Sequence, residues 1–319
     1  MQPPLLGPTL LTSKQQSTLI AEKEPPQAEE KSDSEEEEKG PSEDYTCFGV
    51  NLKPFLPVTL ALSTVIGGAC FFVLQLPMLC RLTSISSSFL FSGCAFVYTV
   101  TLACMVYAAF ADPGQLNEEK NTRSVEMADI EQGRPAMPVR AHQSWQYERP
   151  IRRYDHFCKW LNNAIGLLNH REFVVTVGGL MSIAMLGIVV DTVLEVLVIA
   201  HSGLVVEDAQ TQILLVLHFA YSLTLLKIVW PILRIHFGLI SRNEMGQEWK
   251  NHWHYVANNT TKGDHVYVHE LDDEEYNELL DGGAFVYDAS RNPFDRGCLV
   301  NCWTFWCQAR WTADAKGEF

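Results

Sequence analysis

Positive charge is scarce in this chain of 319 residues. Lys and Arg number 24 against 38 Asp and Glu, for a formal net charge of −14. That balance argues against a nucleic-acid partner, since a phosphate backbone is drawn to basic surfaces. A cysteine framework is also lacking. The nine cysteines are scattered, several of them inside apolar runs. The expected setting for the soluble parts is therefore a reducing compartment. No apolar signal-peptide core is expected at the N-terminus, because Leu5 to Leu11 is short and broken by Pro and Gly.

What is present is segregated. Hydrophobic residues make up 47% of the chain, yet mean hydropathy is near zero, so apolar blocks alternate with charged ones. Residues 1–46 read as a disordered acidic tail, with the run Glu35 to Glu38 and too little apolar surface to offset its ordering entropy. Ser32 and Ser34 sit there either as acidophilic kinase sites or as plain solvated tail. Four apolar segments follow, at 55–79, 88–110, 173–200 and 212–240. About 20 such residues cross a bilayer. The fourth contains His218, Lys227, Pro231, Arg234 and His236, which either run past the bilayer or face the protein interior. Buried helices of a soluble protein are the competing reading, and runs this long argue against it.

Orientation follows from Lys and Arg. Only Arg81 lies in the loop after the first segment, and none lies between His201 and Thr211. The span 112–172 holds Arg134, Arg140, Arg149, Arg152, Arg153, Lys159 and Arg171, and Arg242 and Lys250 follow the fourth segment. The predicted fold is an all-α polytopic membrane protein. Its four transmembrane helices flank a cytosolic loop at 111–172, and a cytosolic C-terminal region occupies 241–319. Both termini are then cytosolic, and the sequons at Asn258 and Asn259 stay unglycosylated.

The stretch between the second and third spans carries the chemistry. Asp155-His156-Phe157-Cys158 sets a thiol beside a base and a carboxylate. A thiol at neutral pH needs a base to become a nucleophile, and a carboxylate orients that base. These four residues alone fit an ordinary loop equally well. The wider stretch is more specific. It resembles the Asp-His-His-Cys (DHHC) protein S-acyltransferases, the palmitoyltransferases, with Asp155, His156, Cys158, Trp160, Leu161, Asn163, Ile165, Gly166, Asn169 and Phe173 in register. Phe157 stands where that family has its second His, and Ala164 where it has a Cys. Asp112-Pro113-Gly114 and Pro138-Val139-Arg140 resemble further family motifs upstream. Downstream, Glu244 keeps the last position of Thr-Thr-x-Glu, while Ser241 and Arg242 do not match its two Thr positions, although Ser241 retains one hydroxyl. Asn292, Gly297, Asn301 and Trp306 fit the C-terminal motif.

The resemblance implies a two-step acyl transfer. His156, oriented by Asp155, deprotonates Cys158, which takes a long-chain acyl group from acyl-CoA and passes it to cysteines of cytosolic or membrane-associated substrate proteins. Asp112, Pro113, Gly114, Trp160, Asn163, Gly166, Asn169, Glu244, Asn292, Gly297 and Asn301 are the expected structural positions. Arg149, Arg152, Arg153 and Lys159 are candidates for the CoA phosphates, with lipid headgroups or topology as alternatives. Gly67, Gly68, Gly178 and Gly179 either permit close helix contact around the acyl chain or merely reflect span composition. The family's zinc ligands would fall at Ile130, Gly133, Gln143, Ser144, Tyr147, Pro150, Phe157 and Ala164, none of them Cys or His. The expectation is no metal and no cofactor, with Trp145, Tyr147 and Phe157 packing as a small aromatic core and Pro150 stiffening the chain. Cys298, Cys302 and Cys307 are candidates for acylation or metal binding, against simple packing or exposure. Two further functions remain: a weak or inactive membrane scaffold, prompted by the lost ligands, and a channel or transporter, which would want buried charge on several spans. The expected site of residence is a eukaryotic endomembrane (Golgi or endoplasmic reticulum) or the plasma membrane.

Overall fold

The computed structural model describes residues 46–47, 50–51, 53–83, 86–116, 140–200, 209–258, 260–281 and 283–310. The tail to residue 45, with Ser32 and Ser34, lies outside them, as do Ile130, Gly133, Pro138 and Val139. Four helical stretches are long and apolar enough to cross a membrane. The first joins α1 (Leu56–Cys70), a π-helical turn (Phe71–Gln75) and α2 (Leu76–Thr83). The others are α3 (Ser87–Phe110), α4 (His170–Ala200) and α5 (Ala209–Arg242). A helix keeps every backbone hydrogen bond within its own segment, which hydrocarbon demands. Two spans outrun their apolar windows: α4 begins at His170 and α5 ends at Arg242. Polar residues such as Arg and Glu extend a helix without raising hydropathy, so the sequence pattern stops short of the true ends.

Helix α4 is central, packing against both α3 and α5. Small residues set the approach. A Cβ on Gly179 would fall 2.0 Å from Thr101 Oγ1, and one on Gly187 would fall 2.3 Å from Ser222 Oγ. Gly67 and Gly68 likewise abut Tyr221 and Tyr98, whereas Gly178 has nothing within 4 Å and plays no part in the contact. The π turn widens the first span and turns Phe71 and Gln75 fully inward. Of the polar residues in the fourth span, His218 and His236 are buried, while Lys227 and Arg234 are exposed. His218 Nδ1 meets Asp191 Oδ2 at 2.7 Å, joining α5 to α4 through a fully buried carboxylate.

Between α3 and α4 the described loop folds as two small antiparallel hairpins. Strands β1 (Thr46–Cys47) and β2 (Val50–Asn51) pair ahead of the first span; in this loop β3 (Ala141–His142) pairs with β4 (Ile151–Arg152), and β5 (His156–Cys158) with β6 (Asn163–Ile165). After α5 come the short helix α6 (Gly246–Lys250) and, further on, α8 (Cys298–Cys307), which packs against α5. Residues 252–295 form a compact unit of their own. It holds a three-stranded antiparallel sheet with β7 (Tyr255–Ala257) between β8 (Val266–Tyr267) and β9 (Phe285–Tyr287), plus the acidic helix α7 (Asp273–Asp281). Asn292 is buried in this unit, donating to Tyr287 Oη (3.0 Å) and accepting from Phe294 N (3.0 Å), so it holds a local turn.

Candidate active site

The β5–β6 hairpin fixes the reactive side chains. Its register pairs His156 with Ile165, Phe157 with Ala164 and Cys158 with Asn163. Alternation along a strand sends His156 and Cys158 to one side and Phe157 to the other. Leu161 N donates to Cys158 O (3.1 Å) in the connecting turn, and Asn162 adopts φ 52°, a region Asn tolerates. Cys158 is buried at 7% exposure, at the edge of the apolar core.

Asp155 anchors His156. Its side chain is fully buried. One carboxylate oxygen meets His156 Nδ1 at 2.7 Å, and the other accepts Gly246 N at 2.7 Å. A Cβ on Gly246 would sit 2.9 Å from Asp155 Oδ2, so only glycine admits this approach. Burial pushes the Asp155 carboxyl up, but the imidazoles of His170, His156 and His236 outweigh it and hold the group well below the usual carboxylate range. For His156, burial acts downward; its hydrogen bonds to Asp155 and Cys158 and their negative charge prevail and raise it to about 10. The His156 side chain keeps 34% of its surface exposed. The arrangement therefore favours a proton on His156, whose ring is hydrogen-bonded to both Asp155 and Cys158.

Two further imidazoles crowd this dyad. His170 Nε2 lies 3.9 Å from Asp155 Oδ1, and the His236 ring is 5.6 Å from both His156 and His170. Phe173 completes the wall, 5.2 Å from His156 and 4.9 Å from His236. Among the described residues, Asp155, His156 and His236 bring ligand-type atoms within 4.8 Å of one another. Both Asp155 oxygens are already engaged by a donor, which suits the carboxylate to orienting His156 rather than to holding an ion.

Short-range motifs seat the hairpin on the membrane helices. Asn163 Nδ2 donates to Ala108 O (3.0 Å) and Ala111 O (2.9 Å), two carbonyls that the end of α3 leaves open. Asn169 donates to Ala164 O (2.8 Å) and accepts Gly166 N (2.9 Å). A Cβ on Gly166 would come within 2.6 Å of Ile151 Cγ2 and 2.7 Å of Pro113 O. Asp112 Oδ1 accepts Gly114 N and Gln115 N, closing a turn in which Gly114 takes φ 115°. Gly114 O then receives Arg152 N, and Pro113 O receives Leu168 N. Trp160 is half-buried against the apolar core.

The segment after α5 ties on from the other side, by atoms that the altered Thr-Thr-x-Glu motif did not foretell. Arg140 grips Glu248 bidentately at 2.6 and 2.7 Å, with both side chains almost fully buried, and also donates to Asn243 O at 2.6 Å. Arg153 Nη2 donates to Asn243 Oδ1 (3.1 Å). Arg153 is 4% exposed, and burial among other cations brings it down to about 9. It is thus interior, apart from the half-buried Arg149, Arg152 and Lys159. Glu244 is buried and paired with Arg242 (2.9 Å). Asn301 donates to Ser241 O (2.8 Å) and accepts Arg296 N (3.0 Å), while Gly297 takes φ 91° ahead of α8. Gly246, Asn243, Glu248, His170 and His236 are the site residues that sequence reasoning missed. Glu248 carried a faint signal, as an acid in the first turn of α6 that accepts Met245 N.

The described positions where the resemblance would put zinc ligands do not fit a zinc ion. Phe157 and Ala164 face each other across the hairpin. Gln143 donates to Tyr147 O (2.6 Å), and Tyr147 N to Ser144 O (3.2 Å), so a hydrogen-bonded turn occupies that ground. Tyr147 Oη donates to Asn163 Oδ1. Trp145 and Phe157 meet edge to face at 5.4 Å, yet Trp145 is 70% exposed, so the pair is a cap and not a buried core.

A family profile described as DHHC palmitoyltransferase matches residues 134–253. The human palmitoyltransferase ZDHHC12 is 28% identical over 170 residues, covering 53% of this chain and 52% of the relative. The mouse palmitoyltransferase ZDHHC8 is 28% identical over 171 residues, covering 47% and 22%. The palmitoyltransferase SWF1 of Yarrowia lipolytica is 26% identical over 88 residues, covering 24% and 23%. The chain spans about half the length of the first of these relatives.

Proposed function

Through residues 134–253 the chain belongs to the DHHC palmitoyltransferase family, and from that premise we propose that it is a membrane protein-cysteine S-acyltransferase using Cys158 as nucleophile. The observation that carries this reading is the buried Asp155 carboxylate 2.7 Å from His156 Nδ1, with Cys158 two residues further along the same strand face. In the first step His156 takes the Cys158 proton, and sulfur attacks the thioester carbonyl of a long-chain acyl-CoA. The bond to the CoA sulfur breaks, and CoA leaves as its thiol, carrying away the proton that His156 had taken. In the second step the thiol of a substrate protein attacks the Cys158 thioester, giving its proton to His156 as Cys158 is released. The hairpin and both termini face the cytosol, where acyl-CoA is found, and the membrane is a Golgi, endoplasmic reticulum or plasma membrane. Arg149, Arg152 and Lys159 are the cations for the CoA phosphates; Arg153 is reassigned to holding Asn243, because it is buried against it. No step uses a metal.

The test is thioester labelling of the purified protein with a clickable palmitoyl-CoA. Hydroxylamine-sensitive label should appear in the wild type, vanish in Cys158→Ser and weaken in His156→Ala. Label that survives in Cys158→Ser would identify another nucleophile. A folded protein that takes no label would leave the scaffold role in its place.

A further inference from the structure

Helix α8 carries thiols that transfer through Cys158 does not use. Its inward side, Asn301, Thr304 and Phe305, is buried. Asn301 is bonded to Ser241 O, Arg171 donates to the Phe305 carbonyl, and the Phe305 ring meets His170 edge-on at 5.2 Å. Ser241 lies in the last turn of α5, and His170 and Arg171 begin α4. The helix is therefore fastened at the depth where two spans end on the side of the Cys158 hairpin.

At 3.6 residues per turn, the side opposite those anchors is Leu299, Trp303 and Trp306. They are 87%, 70% and 40% exposed, and α8 contains no charged residue. Tryptophan at the end of a span is the side chain that prefers the boundary between headgroups and acyl chains. Helices α4 and α5, at whose ends α8 is held, also expose apolar residues, Val196, Ile228 and Phe237 among them. Cys298 and Cys302 flank the Leu–Trp stripe on one side and Cys307 on the other. Cys298 and Cys307 are exposed, while Cys302 is half-buried against the core. The two exposed thiols thus sit along the edges of a lipid-facing stripe, at the waterline.

We propose that the outward face of α8 lies in the cytosol-side leaflet and that Cys298 and Cys307 on its edges are S-acylated with long-chain fatty acid. The site rests on the membrane placement of the spans; one of its two possible donors rests on the acyltransferase reading. The chemistry is thioester exchange. The cysteine sulfur attacks the carbonyl of an acyl thioester, a new C–S bond forms, the old one breaks, and the departing thiolate takes up the proton the acceptor released. The donor thioester is either acyl–Cys158 of this protein or an acyl group carried by CoA or another acyltransferase.

The test uses full-length protein isolated from eukaryotic membranes. Free thiols are blocked, thioesters are cleaved with hydroxylamine, and the released thiols are mass-tagged and located by peptide mass spectrometry. Hydroxylamine-dependent tags should fall on Cys298 and Cys307 and disappear in Cys298→Ser/Cys307→Ser, which should still form the Cys158 thioester in vitro. Leu299→Ser/Trp303→Ser, which changes only exposed side chains, should lower tagging of both cysteines severalfold and leave Cys158 labelling unchanged. Tags lost in Cys158→Ser would name the protein's own acyl-enzyme as donor; tags retained there would name another thioester, and either result upholds the site. Tags on α8 with no acyl group ever found on Cys158 would uphold the site while refuting the acyltransferase reading. A 298–307 peptide free of hydroxylamine-dependent tags in the wild type would overturn the proposal.

Discussion

Replacing Arg140 with Met should undock the Cys158 hairpin. The Arg140 and Glu248 side chains are 1% and 4% exposed and share two hydrogen bonds at 2.6 and 2.7 Å. Removing one partner strips the other buried charge of its bidentate countercharge, which costs roughly 3–5 kcal/mol. Arg140 also holds Asn243 O, so the lost contacts lie on the route through Gly246 to Asp155. Closure weakened by that amount corresponds to roughly a hundred- to several-thousandfold more of the open form. Cys158, 7% exposed when the hairpin is docked, reports the opening directly. Pulsed alkylation of the detergent-solubilised protein, read at the Cys158 peptide by mass spectrometry, should show a rate increase of about that order. The double change Arg140→Met/Glu248→Leu removes both charges and should recover most of the protection, because the penalty lies in a buried carboxylate deprived of its countercharge. Alkylation of Cys158 at the wild-type rate in Arg140→Met would refute the reasoning.

Other outcomes follow from the same geometry. Asp155→Asn keeps the side-chain shape but removes the charge that holds His156 up, so thioester formation at neutral pH should fall roughly 10²–10⁴-fold while Cys158 stays protected from alkylation. The folded value of His156, about 10, lies above its ordinary 6.5, so its contribution to stability is complete below pH 6.5 and lost as pH rises toward 10. The melting-temperature gap between wild type and His156→Phe should accordingly be widest near pH 6 and narrow with alkalinity. Gly166→Ala forces a methyl against Ile151 and the Pro113 carbonyl and should destabilise by about 1–3 kcal/mol or more, seen as a lower melting temperature. Asn163→Leu strands the Ala111 carbonyl and leaves Ala108 O only the longer bond from Asn169 (3.3 Å), and should cost about 1–3 kcal/mol by the same measurement.

Some of this was legible in the residues alone. Asp155, His156, Cys158, Asn163, Gly166 and Asn169 act within one hairpin and its neighbouring turn, so a short pattern captures them. The four spans were legible because the demand of hydrocarbon for internally bonded helices writes itself as long apolar runs. The tie that matters to Asp155 was not. Arg140 and Glu248 are 108 positions apart, and Asp155 and Gly246 are 91 apart. Sequence offers no rule for such meetings, and the Gly246 donor is a backbone amide with no residue-type signature. The altered Thr-Thr-x-Glu motif cast doubt on that connection, yet Asn243, Gly246 and Glu248 supply it with other atoms. Arg153 failed as a surface cation for a related reason: positive charge in a loop reads as exposed until its buried partner is known.

The Asp191–His218 pair bears on how the chain enters the membrane. Asp191 is fully buried on α4, and its partner stands 27 positions later on α5. Exposed alone to hydrocarbon, that carboxylate would disfavour insertion of the third span by about 2.5–3.5 kcal/mol. The fourth span thus brings the third its partner for a buried acid, and a chain truncated before His218 should insert its third span less completely than one that continues through α5, as a glycosylation-reporter assay would read.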